Sequence, residues 1–410
     1  MTTRIGRRID PAVVLGMAVV AISALIYWFA ARGFDAGRGD FFYLADAFLH
    51  GRTWLTFQPG PYDVIIIDGR FYVPFAPFPA VVLMPVVAIL GAAGADQVES
   101  GINAALAAAG VGLCWVLLGR IGVRRLVDRL ALTVLFGFST QILWVTARGG
   151  VWHTGQLIAT ILTFLCLIEL WGRQRAWIVG VIAGAAFLTR APLAFAIPFY
   201  VLMLDPRPRV MAGDLASGVA SIARTIQWRR GAELFLGVVP ALLFFLAYNQ
   251  VRFGSPWESG YGLATLPEFL EAKRAQGMFS IVHLTMNLDL FLLHLPNAIP
   301  EFPFFKPDGL GMSVLLTSPG LLFAVRADWR YPRSWWLLGA AVAVLIPTLL
   351  YYGGGWLQYG YRYFLDSVPF VIALCGLAAV TRGRIGYGWL ALIAFGTVVM
   401  GFAAYWVDKI

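Results

Sequence analysis

The feature that most constrains this chain is a series of apolar stretches long enough to cross a lipid bilayer as helices. The first stretch, Pro11 to Ala31, contains no charged residue, and a helix of that length spans the roughly 30 Å hydrocarbon layer. It has no small-residue cleavage site, so we interpret it as a retained span and not as a signal peptide. Because 60% of the 410 residues are hydrophobic and only 13% are charged, we predict an all-α polytopic integral membrane protein.

The positive charge of the chain indicates topology and not a nucleic-acid partner. The net charge is +9, but the arginines cluster in short loops between the apolar stretches, where positive charge marks the cytoplasmic side. The cysteines Cys114, Cys166 and Cys375 all lie inside apolar segments. Thiols in such surroundings behave as small hydrophobic groups, so we predict neither a disulfide framework nor a metal cluster.

Basic residues at the N-terminus set the orientation of the spans. Arg4, Arg7 and Arg8 place this end in the cytoplasm. Further basic loops that should lie on the same side are 119–129, 172–175, 205–230, 326–333 and 381–384. We predict about eleven transmembrane helices, with spans after the first at 101–118, 131–147, 155–171, 233–249, 310–325, 335–351, 363–380 and 386–406. The whole chain, 1–410, is then a single transmembrane domain with a first external loop (32–100), a transmembrane module (101–249), an outer loop (250–308) and C-terminal helices (309–410).

Two apolar segments do not fit a simple span. Val73 to Leu90 contains four prolines that interrupt helix hydrogen bonding, so we expect a re-entrant or interfacial segment. Trp177 to Leu204 holds Arg190 near its middle, and a charge at the bilayer centre costs at least roughly 2.5–3.5 kcal/mol. We therefore predict two short helices that meet at an external turn at Arg190. An alternative topology, in which both segments are single spans, would move the basic loop 119–129 to the outside.

On the preferred topology, carboxylates and cations converge on the outer side of the membrane. The polar residues there are Asp35, Asp40, Asp46, Asp63, Asp68, Arg148, His153, Arg190, Gln358 and Arg362. The outer loop is also rich in glycine, proline and aromatic residues, which is typical of an ordered loop that covers a site. Any chemistry should therefore take place at the outer interface.

Several motifs, in order along the chain, resemble one family. GDFFYLADAFLHG contains a D-x-x-Y-x-x-x-A-x-x-x-G pattern that begins at Asp40, and it is followed by GRFYVPFAPFPAVVLMP, AFLTRAP, NQVRFGSPWESGY and GGGWLQYGYRYFLDSVPF. Together they resemble the GT-C superfamily of membrane glycosyltransferases, which includes protein mannosyltransferases, aminoarabinose transferases and oligosaccharyltransferase. The resemblance implies a GT-C-like helical bundle in the inner (plasma) membrane of a bacterium. It also implies inverting transfer of a sugar from a polyprenyl-phosphate carrier to a glycan, lipid or protein acceptor on the extracytoplasmic face.

The resemblance assigns roles to individual residues. Asp40 matches the position of a general base, which would take the proton of the acceptor hydroxyl. Arg190 and Arg362 match cations that stabilise the departing lipid phosphate, and His153 could hydrogen-bond the phosphate or sugar, or ligate a metal. Further residues that we predict to bind substrate are Asp46, Tyr72, Arg148, Gln358 and Tyr361.

Structural alternatives exist for each of these assignments. Asp40 could be the N-cap of a helix, Arg190 a topology signal, and Arg362 a side chain that snorkels to the interface. His153 could be an interfacial hydrogen-bonding residue. Asp46 lies on a different helix face from Asp40 and would serve a structural or acceptor-side role, and the aspartates at 63 and 68 would serve turns.

A metal cofactor is not predicted. Oligosaccharyltransferases carry acidic metal ligands in the segment that corresponds to residues 148–155, and this sequence has none there. The first external loop still offers enough oxygen ligands for a hard divalent cation to bind.

A transporter or flippase of a lipid-linked sugar is the main alternative function. Split helices that meet at a charged residue also occur in transporters, but there they lie at the midplane and occur in both halves of an internal repeat. The sequence shows no such repeat. A purely structural subunit would leave the convergence of outer arginines and Asp40 unexplained.

Overall fold

The computed structural model describes residues 10–32, 34, 37–204 and 227–409. The α-helices of these residues are α1 (Pro11–Ala31), α2 (Asp40–Leu49), α3 (Phe78–Gln97), α4 (Glu99–Ile121), α5 (Leu126–Phe138), α6 (Ile142–Arg148), α7 (Val151–Leu170), α8 (Ala176–Phe187), α9 (Ile197–Met203), α10 (Trp228–Phe253), α11 (Glu268–Arg274), α12 (Leu284–Leu292), α13 (Val314–Thr317), α14 (Pro332–Leu350), α15 (Val368–Arg382), α16 (Tyr387–Gly401) and α17 (Ala403–Trp406). The 3₁₀ helices are Ala191–Ala196, Ile281–His283, Pro319–Arg326 and Arg362–Asp366. The strands are β1 (Ile65–Ile67), β2 (Arg70–Tyr72), β3 (Asn297–Ala298) and β4 (Phe305–Lys306), and they form two small antiparallel hairpins. The three N-terminal arginines, Asp35 and loop residues 205–226 lie outside the described residues.

The predicted polytopic helical fold is confirmed. Within the described residues, seven helices are long and apolar enough to cross a membrane, or eight if α5 and α6, bent by 42°, are one span. Four shorter apolar helical segments, 176–187, 191–203, 281–292 and 368–382, accompany them. The predicted count of about eleven spans is therefore approached only when these shorter segments are included.

Close helix contacts in the membrane part depend on small residues. Where α8 crosses α10, a Cβ atom added at Gly180 would lie 2.0 Å from the Leu234 carbonyl oxygen, and one added at Gly237 would lie 2.3 Å from the Trp177 carbonyl oxygen. Only glycine permits this approach of the two backbones, as is common in membrane helix pairs. The contact fixes α10, whose C-terminal end reaches the candidate site described below.

The predicted break at Arg190 is confirmed. Helix α8 ends at Phe187, and Arg190 itself is extended, with φ −148° and ψ 113°. The chain then continues as the 3₁₀ helix 191–196 and as α9. Pro192 lacks an N–H group, and in a continuous α-helix its ring would clash with the carbonyl of Leu188, which explains the interruption.

Two predictions about helix continuity are wrong. Segment 310–325 is not one helix, because α13 ends at Thr317 and a 3₁₀ helix begins at Pro319, with Ser318 non-helical between them (φ −138°, ψ 45°). The prolines of Val73–Leu90 do not interrupt a helix. Those at 74 and 77 precede α3, Pro79 occupies its first turn, where proline is tolerated, and α3 continues through Pro85 to a kink at Gly91. Helix α3 packs mainly along α2, and its re-entrant or interfacial placement stays a prediction.

The two loops predicted to be external, 32–100 and 250–308, are joined by backbone hydrogen bonds. The N–H of Asp63 donates to the Thr265 carbonyl (2.8 Å), and the N–H of Thr265 donates to the Val64 carbonyl (2.9 Å). The next residues form the β1–β2 hairpin, whose turn is Asp68–Gly69 with φ 49° and 73°. Positive φ at both turn residues is typical of a two-residue hairpin, so the predicted turn role of Asp68 is confirmed.

Candidate active site

A cavity of about 290 Å³ lies where the outer loops meet the ends of several helices. Its walls are mostly apolar and aromatic, with Phe75, Phe187 and Phe245 among them. Three arginines, Arg190, Arg252 and Arg362, also line it. A concave, mostly apolar site with a few placed polar groups is the usual form of a small-molecule site.

Arg362 is held from two sides. Its backbone N–H donates to Oε1 of Gln358 (3.1 Å), and its carbonyl accepts from Nε2 of Gln156 (3.0 Å). The side chain is only 6% exposed, and its buried Nε has no hydrogen-bond partner among the described residues. Buried polar groups are normally satisfied, so this guanidinium has hydrogen-bonding capacity that the described residues do not use.

His153, in the first turn of α7, contacts Arg362 directly. Its Nδ1 lies 2.5 Å from the Gly149 carbonyl oxygen, and its Nε2 lies 3.3 Å from Nη1 of Arg362. Because a carbonyl only accepts, Nδ1 carries the proton and Nε2 is free to accept from the guanidinium. His153 therefore orients Arg362, and it lies behind the arginine as seen from the cavity.

Arg190 is compensated by a buried carboxylate. Its Nε donates to Oδ2 of Asp366 at 2.7 Å, and the Asp366 side chain is fully buried. The guanidinium carbon also lies 5.8 Å from the centroid of the Tyr363 ring. The sequence analysis did not identify Asp366, although it stands four residues after Arg362 in the motif YRYFLDSVPF.

Arg252, at the end of α10, is a cavity cation that the sequence analysis also missed. Its Nη1 donates to the Val73 carbonyl (3.1 Å), its Nη2 donates to Oδ1 of Asn249 (2.9 Å), and its guanidinium lies 3.9 Å from the Tyr248 ring centroid. Its buried Nε has no partner among the described residues. Its presence in NQVRFGSPWESGY, at the end of an apolar stretch, was the available signal.

Asp40 is the first residue of α2 and is completely buried. Its two carboxylate oxygens accept from Nε (3.0 Å) and Nη2 (2.7 Å) of Arg38. Asp40 is not among the residues that line the cavity. Arg38, seven residues after the end of α1 and itself buried, was not among the predicted site residues.

Asp63 lies beside this ion pair and, like Asp40, is not itself a lining residue of the cavity. Its Oδ2 accepts from Nε1 of Trp152 at 3.0 Å, and the Trp152 ring lines the cavity. The guanidinium of Arg38 stacks on the same ring, 4.8 Å from its centroid. Burial raises the pKa of Asp63, although the Trp152 hydrogen bond and the charges of Arg38 and Arg362 oppose this rise.

Five predicted substrate-binding residues are not at the cavity. Asp46 faces His50 and Arg52, each at 3.5 Å, and Tyr72 packs on Phe253. Arg148 donates to the Val407 carbonyl. Gln358 donates to the carbonyls of Leu310 and Gly354, and the Tyr361 hydroxyl donates to Thr348. These side chains are thus engaged in contacts within the protein, and Gln358 and Tyr361 are in addition completely buried.

No group of three or more histidine, cysteine, aspartate or glutamate side chains that could hold a metal ion occurs in the described part of the chain. Among the predicted site residues, metal binding was considered for His153. Its two ring nitrogens face Gly149 and Arg362.

Fold and site together define a multi-pass membrane protein with an arginine-lined cavity beneath the two predicted external loops, and its fold is similar to that of the solved structures of ArnT. ArnT from Cupriavidus metallidurans, solved with bound undecaprenyl phosphate, matches with a TM-score of 0.53 and 14% identity over 94% of this chain and 63% of ArnT. Its apo structure gives 0.51. The oligosaccharyltransferase AglB from Archaeoglobus fulgidus, solved with an inhibitory peptide and a dolichol-phosphate, gives 0.45 at 15% identity, over 96% of this chain and 55% of AglB.

This chain thus spans less than two thirds of the length of these structures. No family model matches the sequence. No curated protein matches it either.

Proposed function

We propose that this protein is a glycosyltransferase that moves a sugar from a polyprenyl-phosphate carrier to a glycan, lipid or protein acceptor of the cell envelope. The observation that carries the proposal is the pair of buried arginines, Arg252 and Arg362, that line one apolar cavity with an unpartnered Nε each. In the same fold, ArnT binds undecaprenyl phosphate.

The charge balance of the cavity favours an anionic ligand. Arg190 forms a salt bridge with Asp366, whereas Arg252 and Arg362 form none with the described residues. A buried cation without a counter-ion is costly, and a phosphate group between the two arginines would offset that cost. Arginine suits this role because its planar fork donates two parallel hydrogen bonds to phosphate oxygens.

The same arginines would act in the reaction. When the bond between the anomeric carbon and the phosphate oxygen breaks, the polyprenyl phosphate gains negative charge. Fixed cations in an apolar site stabilise this charge more strongly than water-exposed ones would. The phenylalanine walls suit the isoprenoid chain, and the rings of Tyr261 and Tyr363 suit the faces of a sugar.

Inverting transfer requires a base for the acceptor hydroxyl. Asp40 is the residue that the sequence motif indicates. Both of its oxygens are bound to Arg38, so one of these hydrogen bonds would have to break before Asp40 could take a proton. Asp63 is the second carboxylate of the same cluster.

We place the protein in the plasma membrane of a bacterium, with its N-terminus in the cytoplasm and the cavity on the outer side. The basic loops support this orientation through the positive-inside rule. Transfer in this proposal needs no divalent cation.

A transfer assay with the purified protein in lipid tests the proposal. A panel of radiolabelled polyprenyl-phosphate sugars is offered with an extract of envelope glycans, with and without EDTA. We expect transfer from one donor that survives EDTA and is lost in Arg362→Ala. The matched control is Arg175→Ala, because Arg175 pairs with Glu169 at the distant α7–α8 turn. Movement of the lipid-linked sugar across vesicles without any transfer would instead indicate a flippase.

A further inference from the structure

Given the proposed glycosyl transfer, we propose that Asp63, and not Asp40, takes the proton of the acceptor hydroxyl, and that Asp40 is a positioning residue for Arg38. The proposal depends on how the hydrogen-bonding capacity of the two carboxylates is used. It also depends on which of them adjoins the cavity wall.

Both oxygens of the Asp40 carboxylate already accept hydrogen bonds. The residue is completely buried and forms a two-point ion pair with Arg38 through Nε and Nη2. To take a proton from an acceptor, Asp40 would have to give up a hydrogen bond from Arg38, whose buried guanidinium would then lose its counter-charge. Asp40 also has no exposed surface and does not line the cavity.

The carboxylate of Asp63 has capacity left. Its Oδ2 accepts from Trp152 Nε1, and within the described residues no hydrogen bond to Oδ1 is found. The residue is only partly buried. Its hydrogen bond from Trp152 connects the carboxylate to the cavity wall, because Trp152 is a lining residue although Asp63 is not.

Asp40 and Arg38 support this arrangement from behind. With its Nε and Nη2 on Asp40, Arg38 stacks on Trp152, and its Nη1 donates to the Tyr62 carbonyl at 3.1 Å. Arg38 therefore holds both the tryptophan that binds Asp63 and the residue before Asp63. The cross-loop bonds to Thr265 fix the backbone of Asp63 from the other side.

The electrostatic surroundings suit a proton acceptor. The charged or titratable groups that act on Asp63 or feel its charge are Arg38, Asp40, Arg362, Tyr261 and Tyr352. Burial raises the pKa of the Asp63 carboxyl, which makes it a better base than an exposed aspartate. Arg362 and Tyr261 both line the cavity, so the charge of Asp63 acts where the substrates meet.

The proposed step balances in atoms and charge. Oδ1 of Asp63 takes the hydroxyl proton while the acceptor oxygen bonds to the anomeric carbon. The bond from that carbon to the phosphate oxygen breaks, and its electron pair leaves with the polyprenyl phosphate, whose added charge faces Arg362 and Arg252. Asp63 then returns its proton to water at the exposed side of the loop.

Substitution by asparagine tests the assignment with little change of the backbone. Asp63 has φ 54°, in the left-handed region that asparagine also tolerates. The matched control is Asp68→Asn, a residue of the same loop with φ 49° that lies in the hairpin turn. Turnover is measured with the polyprenyl-phosphate sugar that the wild type uses, together with binding of undecaprenyl phosphate and the pH profile of kcat.

We expect Asp63→Asn to lower kcat by about 10²- to 10⁴-fold, while its binding of lipid phosphate stays within about twofold of wild type. The wild-type kcat should fall towards acid pH as the base is protonated, and this fall should be absent in Asp63→Asn. Asp40→Asn should reduce kcat less than Asp63→Asn does. Its kcat should still fall towards acid pH, because the base Asp63 is present. A variant with both Arg38→Gln and Asp40→Asn controls for misfolding, since it removes both charges of the pair.

The assignment to Asp63 is overturned if Asp63→Asn keeps near-normal turnover, or if Asp40→Asn removes the fall of kcat towards acid pH while still folding and binding lipid phosphate. Failure of the wild type to transfer any sugar would overturn the proposed function, and this assignment with it. If both the wild type and Asp63→Asn transfer sugar, the assignment of the base to Asp63 is overturned, but the proposed function stands.

Discussion

Nη1 of Arg362 lies 3.3 Å from Nε2 of His153. This contact joins the first turn of α7 to the 3₁₀ helix that contains Arg362, two elements more than 200 residues apart along the chain. Because Nδ1 of the histidine is held by the Gly149 carbonyl, the ring presents only its acceptor to the arginine. His153 therefore contributes to holding the guanidinium of Arg362, a residue that lines the cavity.

Removing that acceptor should weaken donor binding. We expect His153→Ala to raise the KM for the lipid-linked donor by about tenfold or more, because a hydrogen bond to a charged group contributes about 1.5–3 kcal/mol. His153→Gln offers an acceptor oxygen and should restore part of the loss. Steady-state kinetics on purified variants in lipid measures both. Equal KM values in the wild type and His153→Ala would contradict the orienting role.

Arg252 should contribute to the binding of lipid phosphate through the planar geometry of its guanidinium group and not only through its charge. Arg252→Lys keeps the positive charge. A lysine, however, cannot form the hydrogen bonds to the Val73 carbonyl and to Asn249 and also keep a donor for a phosphate oxygen. We therefore expect weaker binding of undecaprenyl phosphate, by about tenfold. Lysine at Arg229, an almost fully exposed residue at the other end of α10, is the control and should leave binding unchanged. Unchanged binding in Arg252→Lys would remove this arginine from the proposed site.

The pair of Arg190 and Asp366 should matter for stability. Asp366 is completely buried and Arg190 is mostly so, and loss of one partner from a buried pair costs about 3–5 kcal/mol. We expect Asp366→Asn to lower the thermal unfolding temperature in detergent, and the double variant with Arg190→Gln to recover part of that loss. A double variant no more stable than Asp366→Asn would show that the carboxylate stabilises the fold through other contacts.

The sequence predicted the general fold well because apolar length and basic loops are strong signals. It also predicted the break at Arg190, since a proline two residues after an arginine in an apolar stretch admits few arrangements. It failed at 310–325, where the apolar pattern continues across Ser318 but the backbone does not. Hydrophobicity carries no information about such a change from α- to 3₁₀-helical geometry.

The site was predicted only in part, because its pairings are long-range. Arg190 and Arg362 were found as isolated charges beside apolar segments, and both line the cavity. Gln358 and Tyr361 share a motif with Arg362, but their side chains turn inward to backbone carbonyls. Asp366 pairs with Arg190 across 176 residues, a contact that only the folded chain creates. Arg38, by contrast, lies two residues before Asp40 and was missed although its partner is a sequence neighbour.

The last prediction concerns Glu99, at the start of α4, which stabilises the turn before His153. Its Oε1 accepts from the N–H of Gly150 (2.9 Å) and from Oγ1 of Thr154 (3.0 Å). An acceptor at the N-terminus of α7 satisfies N–H groups that the helix leaves free.

Because a carbonyl oxygen can serve as this acceptor too, Glu99→Gln should keep the KM for donor near the wild-type value. Glu99→Ala should raise this KM as His153→Ala does and lower the unfolding temperature. In Glu99→Ala combined with His153→Ala, the KM should rise little beyond that of either single variant, because both changes loosen the same side chain of Arg362. Fully additive effects in this double-mutant cycle would show that Glu99 stabilises α7 without acting on the site.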